Sequence, residues 1–212
     1  REYGQSVGIW RLFDAFEKAG VAPGCTVNAK TLLERPEIAN VPREKGWEVV
    51  AHNYEQGELL TGFYNDPSKE RKIVEATLEE YENFFGRKAK GWLSSSLRGT
   101  TNTPEILVEN GCIFYCDLLN DDQPYMVETN AGPIVSTPYS NEINDFTIIT
   151  RRGHTTDEMR DILKEELTVL HREATESGSG RMMNVGLHPH VTGRAYRVRA
   201  VTEFIDYAKT LD

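Results

Sequence analysis

Short apolar runs that stop at a polar or aromatic residue recur along this chain. Four of them stop at His52, Trp92, Asp117 and His188. Where strands alternate with helices in a parallel sheet, the C-terminal ends of the strands open onto one face. We therefore expect these side chains to gather around a single pocket, and this arrangement favours an enzyme.

The spacing of apolar residues predicts helices that alternate with β-rich runs. The predicted helices cover residues 7–20, 66–86, 103–111, 155–174 and 197–211. The predicted strands cover residues 25–29, 47–51, 113–117 and 182–187, and further extended stretches cover residues 132–139 and 145–150.

This alternation, with strands that are apolar almost throughout, predicts an α/β fold in which helices surround a parallel sheet. A closed or partly closed (β/α) barrel accounts best for side chains that converge at strand ends. A doubly wound open sheet is the alternative, and it would bind a nucleotide. Its phosphate loop should precede a helix, whereas the glycine-rich residues 177–180 precede a predicted strand.

The size and charge of the chain limit its partners. With 212 residues, 39% of them hydrophobic, the chain is long enough for one domain and short for a complete eight-unit barrel. Its 33 acidic and 24 basic residues give a net charge of -9, which argues against nucleic acid and anionic membrane surfaces as partners. No apolar stretch reaches the roughly 18 residues that span a bilayer, and the N-terminus shows no secretion pattern, so we expect a cytoplasmic protein.

Five segments carry a family resemblance. They are REYGQSVGIWRLFDAF (residues 1–16), GWEVVAHNYEQGELL (46–60), KGWLSSSLRGTTNTPEILVENG (90–111), CDLLNDDQPY (116–125) and NVGLHPHVTGRAYR (184–197). In this order they resemble the polysaccharide deacetylase family over nearly the whole chain. They are most similar to its branch of metal-independent allantoinases and cyclic imide hydrolases.

The resemblance implies that residues 1–212 form a single, distorted (β/α) barrel domain of the polysaccharide deacetylase type, and that the chain hydrolyses an amide or imide C–N bond. Family members carry a first strand with one or two carboxylates before the segment at residues 1–16, and usually a closing strand and helix at the other end. We therefore expect a barrel that is incomplete at both ends, with the water-activating carboxylate upstream of Arg1. Unpaired strand edges favour pairing with a second copy, so a homo-oligomer is expected.

The residue Gln56 bears on whether the chain binds a metal cofactor. Metal-dependent relatives have a second histidine four positions after the first, and here that position is Gln56. A neutral amide is a poor substitute for imidazole as a metal ligand. His52 is then the only residual candidate for a ligand, so no cofactor is expected beyond weak binding of a divalent metal such as zinc.

The resemblance makes His188 the candidate general acid, because imidazole is well suited to protonate a leaving nitrogen near neutral pH. Asp121 and Asp122 stand where the family places an acid that pairs with the catalytic histidine. A carboxylate held against imidazole raises its pKa and fixes its tautomer, and Asp121 is slightly favoured for this role. The alternatives are a hydrogen-bonded core histidine and an aspartate turn closed by Pro124.

Five further residues are candidates to bind substrate. His52 can donate a hydrogen bond to a substrate carbonyl. Trp92 can wall the pocket, because a planar ring gains contact area against an indole, although a core tryptophan is equally expected. Tyr139, Asn141 and Glu142 lie in an irregular stretch, where they can recognise an amide or simply form turns.

Three functions remain open. The first is hydrolysis of a small cyclic or linear amide, such as allantoin, a hydantoin or an imide, with that small molecule as the partner. The second is metal-dependent N-deacetylation of carbohydrate or peptidoglycan, which Gln56 and the lack of an export signal disfavour. The third is a barrel that only binds, or an inactive copy. Metal content separates the first two functions, and turnover separates both from the third.

Overall fold

The computed structural model describes residues 2–211, and within them the chain forms seven α-helices and six β-strands. The helices are α1 (Ile9–Ala19), α2 (Ala29–Glu34), α3 (Pro36–Lys45), α4 (Pro67–Phe85), α5 (Thr103–Glu109), α6 (Thr156–Ser177) and α7 (Val198–Ala208). The strands are β1 (Cys25–Val27), β2 (Val49–Ala51), β3 (Gly91–Trp92), β4 (Phe114–Tyr115), β5 (Tyr125–Thr129) and β6 (Gly132–Ser136). The chain divides into two compact units, which are described separately.

The sheet unit comprises Pro23–Leu118 and Pro124–Thr137. Its strands form one sheet in the order β1-β2-β3-β4-β6-β5, in which β5 and β6 are an antiparallel hairpin and the other neighbours are parallel. Because helices connect the parallel strands, His52, Trp92 and Asp117 all lie at the C-terminal ends of neighbouring strands. The predicted α/β fold, with a parallel sheet and outer helices, is confirmed.

The start, the end and the buried face of helix α4 follow directly from its sequence. The Asp66 side chain accepts a hydrogen bond from the Lys69 N–H (3.1 Å), and a proline occupies the first turn, where its missing N–H is not needed. The helix stops at Gly86, whose φ of 67° is the left-handed conformation that glycine tolerates. Between these ends, Leu78 and Tyr81 pack into the core beneath the sheet.

The helical unit comprises Arg1–Ala22, Leu119–Gln123 and Pro138–Asp212. Its core joins α6 and α7 through a cluster of buried side chains, which includes Ile148, Met159, Leu163, Val201 and Ile205. Two single π-helical turns also lie here, at Gly4–Gly8 and Phe146–Arg151. Of the helices between residues 2 and 211, none combines the length and apolar character that a membrane-spanning segment needs.

Two predicted extended stretches were wrong. Residues 145–150 were predicted as extended because they are rich in β-branched residues, but the structure has the π-helical turn Phe146–Arg151 there, with Ile148 and Ile149 in the core. Residues 182–187 form only one bridge, between Gly186 and Asn144, instead of a strand. At residues 145–150, burial in the tertiary structure overrides local β propensity.

Helices α2 and α3 and strand β5 were not predicted. Helix α2 has only six residues, which is too short to show helical periodicity. Helix α3 begins at Pro36 and contains Pro42, which normally indicates a break. Strand β5 is a short edge strand whose side chains are alternately half-buried and exposed. The prediction of one domain over residues 1–212 stays a prediction.

Candidate active site

His188 and Asp145 form a hydrogen-bonded pair in the helical unit. The Nδ1 atom of His188 lies 2.6 Å from Oδ1 of Asp145. The Asp145 side chain is fully buried, whereas 41% of the His188 side chain is exposed. A buried carboxylate in this position orients the imidazole and favours the tautomer with its proton on Nδ1, which leaves Nε2 available to a substrate.

The second oxygen of Asp145 holds the backbone around the histidine. Oδ2 accepts hydrogen bonds from the backbone N–H of His188 (2.8 Å) and from the hydroxyl of Thr192 (2.5 Å). Both carboxylate oxygens therefore have donors, as a buried charged group requires. Because Thr192 touches Asp145 and not the imidazole, its role is to position the carboxylate.

Residues 188–193 form a tight turn, which we call the histidine loop. The N–H groups of Val191 and Thr192 both donate to the carbonyl of His188, at 2.8 and 3.0 Å. The guanidinium of Arg197 donates to the carbonyl of Val191 (3.2 Å). His188 therefore lies in a turn that is held by several hydrogen bonds to its backbone, and not at the end of a regular strand as predicted.

Three rings lie together beside the pair. The ring centroids of Phe146 and His188 are 5.8 Å apart, those of His188 and His190 are 5.7 Å apart, and those of Phe146 and His190 are 6.3 Å apart. Phe146 opens the π-helical turn that follows Asp145, and such turns occur frequently at functional sites. The rings form an aromatic surface next to the half-exposed imidazole, against which a planar substrate group can pack.

In the sheet unit, His52 follows β2 and has a partner at each ring nitrogen. Nδ1 lies 2.6 Å from the carbonyl oxygen of Leu93, and Nε2 lies 3.1 Å from the side-chain amide oxygen Oε1 of Gln56. Both partner atoms are oxygens, which only accept hydrogen bonds, so a neutral imidazole can donate to one of them at a time. The side chain of Gln56 therefore lies against the ring of His52, on the side of Nε2.

Asp117 follows β4 and anchors the loop that begins at Ser94. Its two oxygens accept hydrogen bonds from the backbone N–H (2.7 Å) and the hydroxyl (2.6 Å) of Ser94. Burial raises the pKa of the Asp117 carboxyl from 3.8 to about 6, although the two hydrogen bonds from Ser94 oppose that rise. In the anchored loop, Ser96 and Leu97 both have a φ of 58°, a left-handed conformation that costs free energy in residues other than glycine.

Comparison with known proteins adds family information to this geometry. A scan against models of protein families finds no match. A Schizosaccharomyces pombe protein that bears the name polysaccharide deacetylase is 26% identical to the chain over 232 aligned residues, which cover 97% of this chain and 68% of that protein. A crystal structure from Pseudomonas aeruginosa PAO1 that bears the same family name has a TM-score of 0.86 and 26% identity, covering 100% of this chain and 69% of that one.

The chain has the polysaccharide deacetylase fold. The predicted (β/α) barrel type is thereby confirmed. The crystal structure of Puue Allantoinase is also similar, with a TM-score of 0.86 and 27% identity, covering 99% of this chain and 68% of that one.

The residues at His52 do not fit the metal site of the metal-dependent deacetylases. In the part of the chain that the structure describes, no group of three or more His, Cys, Asp and Glu side chains is placed to hold a metal ion. Both ring nitrogens of His52 already have hydrogen-bond partners, one of which is Gln56 at the position of the second histidine. An amide oxygen is a weaker ligand for zinc than imidazole.

The predicted partner of His188 was wrong. His188 is paired with Asp145, and neither Asp121 nor Asp122 supplies the carboxylate at its Nδ1 atom. Asp121 is exposed and accepts a hydrogen bond from the N–H of Gln123 (2.9 Å), which is the turn geometry named as the alternative. Asp122 is exposed as well, and its backbone carbonyl accepts from the N–H of Met182 (2.9 Å).

The other predicted residues fall into two groups. Trp92 is fully buried, and its indole N–H donates to the hydroxyl of Ser94 (2.8 Å), so it belongs to the core and does not wall an open pocket. Tyr139 is half-buried, and its hydroxyl accepts from the side chain of Asn144 (3.1 Å), the residue before Asp145.

Asn141 and Glu142 are both exposed, and Glu142 forms an ion pair with Arg152. Their roles in substrate binding, like those of His52 and Tyr139, stay predictions.

Proposed function

We propose that this chain hydrolyses the C–N bond of a small cyclic or linear amide, of the allantoin, hydantoin or imide type, with His188 as the general acid. The observation that carries the proposal is the hydrogen bond of 2.6 Å between Nδ1 of His188 and the fully buried Asp145 carboxylate. Structural histidines also form such bonds, but this imidazole is half-exposed and lies beside an aromatic surface.

The broader prediction of a hydrolase acting on non-peptide C–N bonds is confirmed by the relatives. The two names that these relatives bear, polysaccharide deacetylase and allantoinase, are names of such hydrolases. The narrower assignment to a small amide is supported by the similarity to Puue Allantoinase and by the aromatic rings beside His188.

In the proposed reaction, water adds to the amide carbon and forms the new C–O bond, and the imidazolium of His188 donates the proton on Nε2 to the nitrogen that leaves as the C–N bond breaks. An amide nitrogen leaves poorly unless it is protonated, so this transfer lowers the barrier to C–N cleavage. The Asp145 carboxylate stabilises the imidazolium and keeps Nδ1–H directed away from the substrate. Phe146 and His190 can pack against a planar amide and hold it near Nε2.

A second candidate is N-deacetylation of a carbohydrate or peptidoglycan. It is favoured by the family name that the yeast and Pseudomonas aeruginosa relatives bear. The hydrogen-bond partners of His52, which include Gln56, disfavour the metal-dependent form of this reaction. That the chain needs no tightly bound metal and assembles as a homo-oligomer in the cytoplasm remains part of the proposal.

The deciding experiment compares substrates with the full-length protein. Allantoin, hydantoin, succinimide and N-acetylated oligosaccharides are assayed with the wild type, with His188→Gln, and with His171→Gln as a matched histidine control on α6. Turnover of a ring-sized amide that is lost in His188→Gln and kept in His171→Gln is the expected result. Turnover of the oligosaccharides alone would favour the second candidate, and no turnover of any amide would indicate a protein that only binds.

A further inference from the structure

The N-terminal segment packs against the histidine loop through glycines. A Cβ atom at Gly4 would lie 2.8 Å from the backbone nitrogen of His190, and one at Gly8 would lie 2.0 Å from the carbonyl oxygen of Pro189. A Cβ atom at Gly193 would lie 2.5 Å from the Cα atom of Gly8. Any larger residue at these positions would push the two backbones apart, so the close approach depends on glycine.

Arg11 adds a charged hydrogen bond to this contact. Its Nη1 atom donates to the carbonyl of Gly193 (2.5 Å) and to the hydroxyl of Tyr3 (2.9 Å). The guanidinium of Arg194 stacks on the Tyr3 ring, 3.7 Å from its centroid. A charged donor to a carbonyl makes a stronger hydrogen bond than a neutral one, and the stacked Tyr3 limits where the Arg11 guanidinium can move.

The Gly193 carbonyl, which accepts the hydrogen bond from Arg11, is close to His188 along the chain. Gly193 directly follows Thr192, whose hydroxyl donates to Oδ2 of Asp145 (2.5 Å). The other oxygen of Asp145 holds Nδ1 of His188 (2.6 Å). A shift of Gly193 would therefore move Thr192 and change the donors that fix the Asp145 carboxylate.

We propose that Arg11 is a positioning residue, which sets the geometry of the His188–Asp145 pair by fixing Gly193. It acts from α1 and through the histidine loop, and it touches neither the imidazole nor the carboxylate. The catalytic consequence rests on the proposed function, whereas the geometric consequence can be measured without a substrate.

The test uses the full-length protein with Arg11→Gln and Arg11→Lys, and with Lys18→Gln as a control. Lys18 lies on the same helix and pairs with the exposed Asp14, so its replacement removes one positive charge without touching the histidine loop. Two quantities are measured for each folded variant. They are kcat and KM for the amide that the wild type hydrolyses, and the proton NMR resonance of the His188 Nδ1–H group, assigned by its loss in His188→Gln.

We expect Arg11→Gln to lower kcat about 10-fold to 100-fold with little change in KM, since small displacements of a catalytic group have effects of this size. In Arg11→Gln, the Nδ1–H resonance should also move upfield or broaden through exchange. Arg11→Lys should partly restore both kcat and the resonance, and Lys18→Gln should match the wild type in both. Should Arg11→Gln fail to fold, Tyr3→Phe removes the hydroxyl contact alone and should show a smaller effect of the same kind.

Wild-type kcat and an unchanged Nδ1–H resonance in folded Arg11→Gln would overturn the proposal. A lower melting temperature with both readouts unchanged would overturn it too, because that result indicates a merely structural residue. If the wild type hydrolyses no amide, the proposed function fails, but the resonance still decides whether Arg11 positions His188.

Discussion

The carboxylate of Asp145 contacts both the ring and the backbone of His188. Its Oδ1 atom lies 2.6 Å from Nδ1, and its Oδ2 atom lies 2.8 Å from the backbone N–H. One buried side chain therefore sets both the orientation of the imidazole and the conformation of the turn that carries it. This double contact distinguishes Asp145 from the exposed Asp121 and Asp122.

Asp145→Asn should reduce the activity of a folded protein strongly. The amide keeps the shape of the carboxylate but cannot stabilise an imidazolium as a charge does, so kcat should fall on the order of 100-fold or more. The steady-state rate on the best amide substrate measures this. Asp121→Asn is the matched control, and a larger loss in Asp121→Asn than in Asp145→Asn would contradict the pairing seen in the structure.

Thr192→Val should destabilise the protein and lower kcat together. The change leaves Oδ2 of the buried Asp145 without its hydroxyl donor, which typically costs about 1–3 kcal/mol. Chemical denaturation measures the free energy of unfolding. Thr192→Ser keeps the hydroxyl and should recover most of the loss, so equal losses in the two variants would show that the hydroxyl is not the cause.

Asp117 should make stability depend on pH in a defined window. Its pKa is about 6 in the folded protein, against 3.8 as the ordinary value, so the folded state binds the proton more tightly than the unfolded state. The contribution of Asp117 is therefore fully present below about pH 4 and is lost as pH rises to about 6, on the order of 3 kcal/mol in all.

Asp117→Asn isolates this effect. The unfolding free energies of the wild type and the variant are measured between pH 4 and pH 7. Plotted against pH, the two curves should have the same slope above about pH 6 and different slopes below it. Parallel curves over the whole range would show that Asp117 has no raised pKa in the folded protein.

Removal of metal should leave the activity unchanged. Each nitrogen of the His52 imidazole has an oxygen within hydrogen-bond distance, and Gln56 stands where the family resemblance predicts a second histidine. Prolonged dialysis against a chelator, followed by assay and by metal analysis, tests this. Activity that disappears on chelation and returns with zinc would favour the metal-dependent deacetylase instead.

The sequence predicted the parallel sheet and the outer helices because apolar periodicity and helix caps are local signals. The Asp66 cap and the stop at Gly86 are examples, and both appear in the structure as expected. Helix α3 was missed because its prolines break the local pattern, and only packing in the sheet unit keeps it helical.

His188 was recognisable from the sequence because the family resemblance singles it out. Asp145 was missed because it stands at the start of an apolar run and was assigned to an extended stretch. The sequence feature that could have identified Asp145 is its position between Asn144 and Phe146, at the start of an apolar segment that is expected to be buried. A buried charge needs several donors, so such a residue is a candidate partner for a histidine.

The most direct test of the central claim is the kcat of His188→Ala in the folded, full-length protein, measured on the small amide that the wild type turns over best. Because general acid catalysis commonly contributes about 100-fold to 10,000-fold, kcat should fall by that factor while KM stays nearly unchanged. A His188→Ala protein that keeps normal turnover would contradict the assignment of His188 as the general acid.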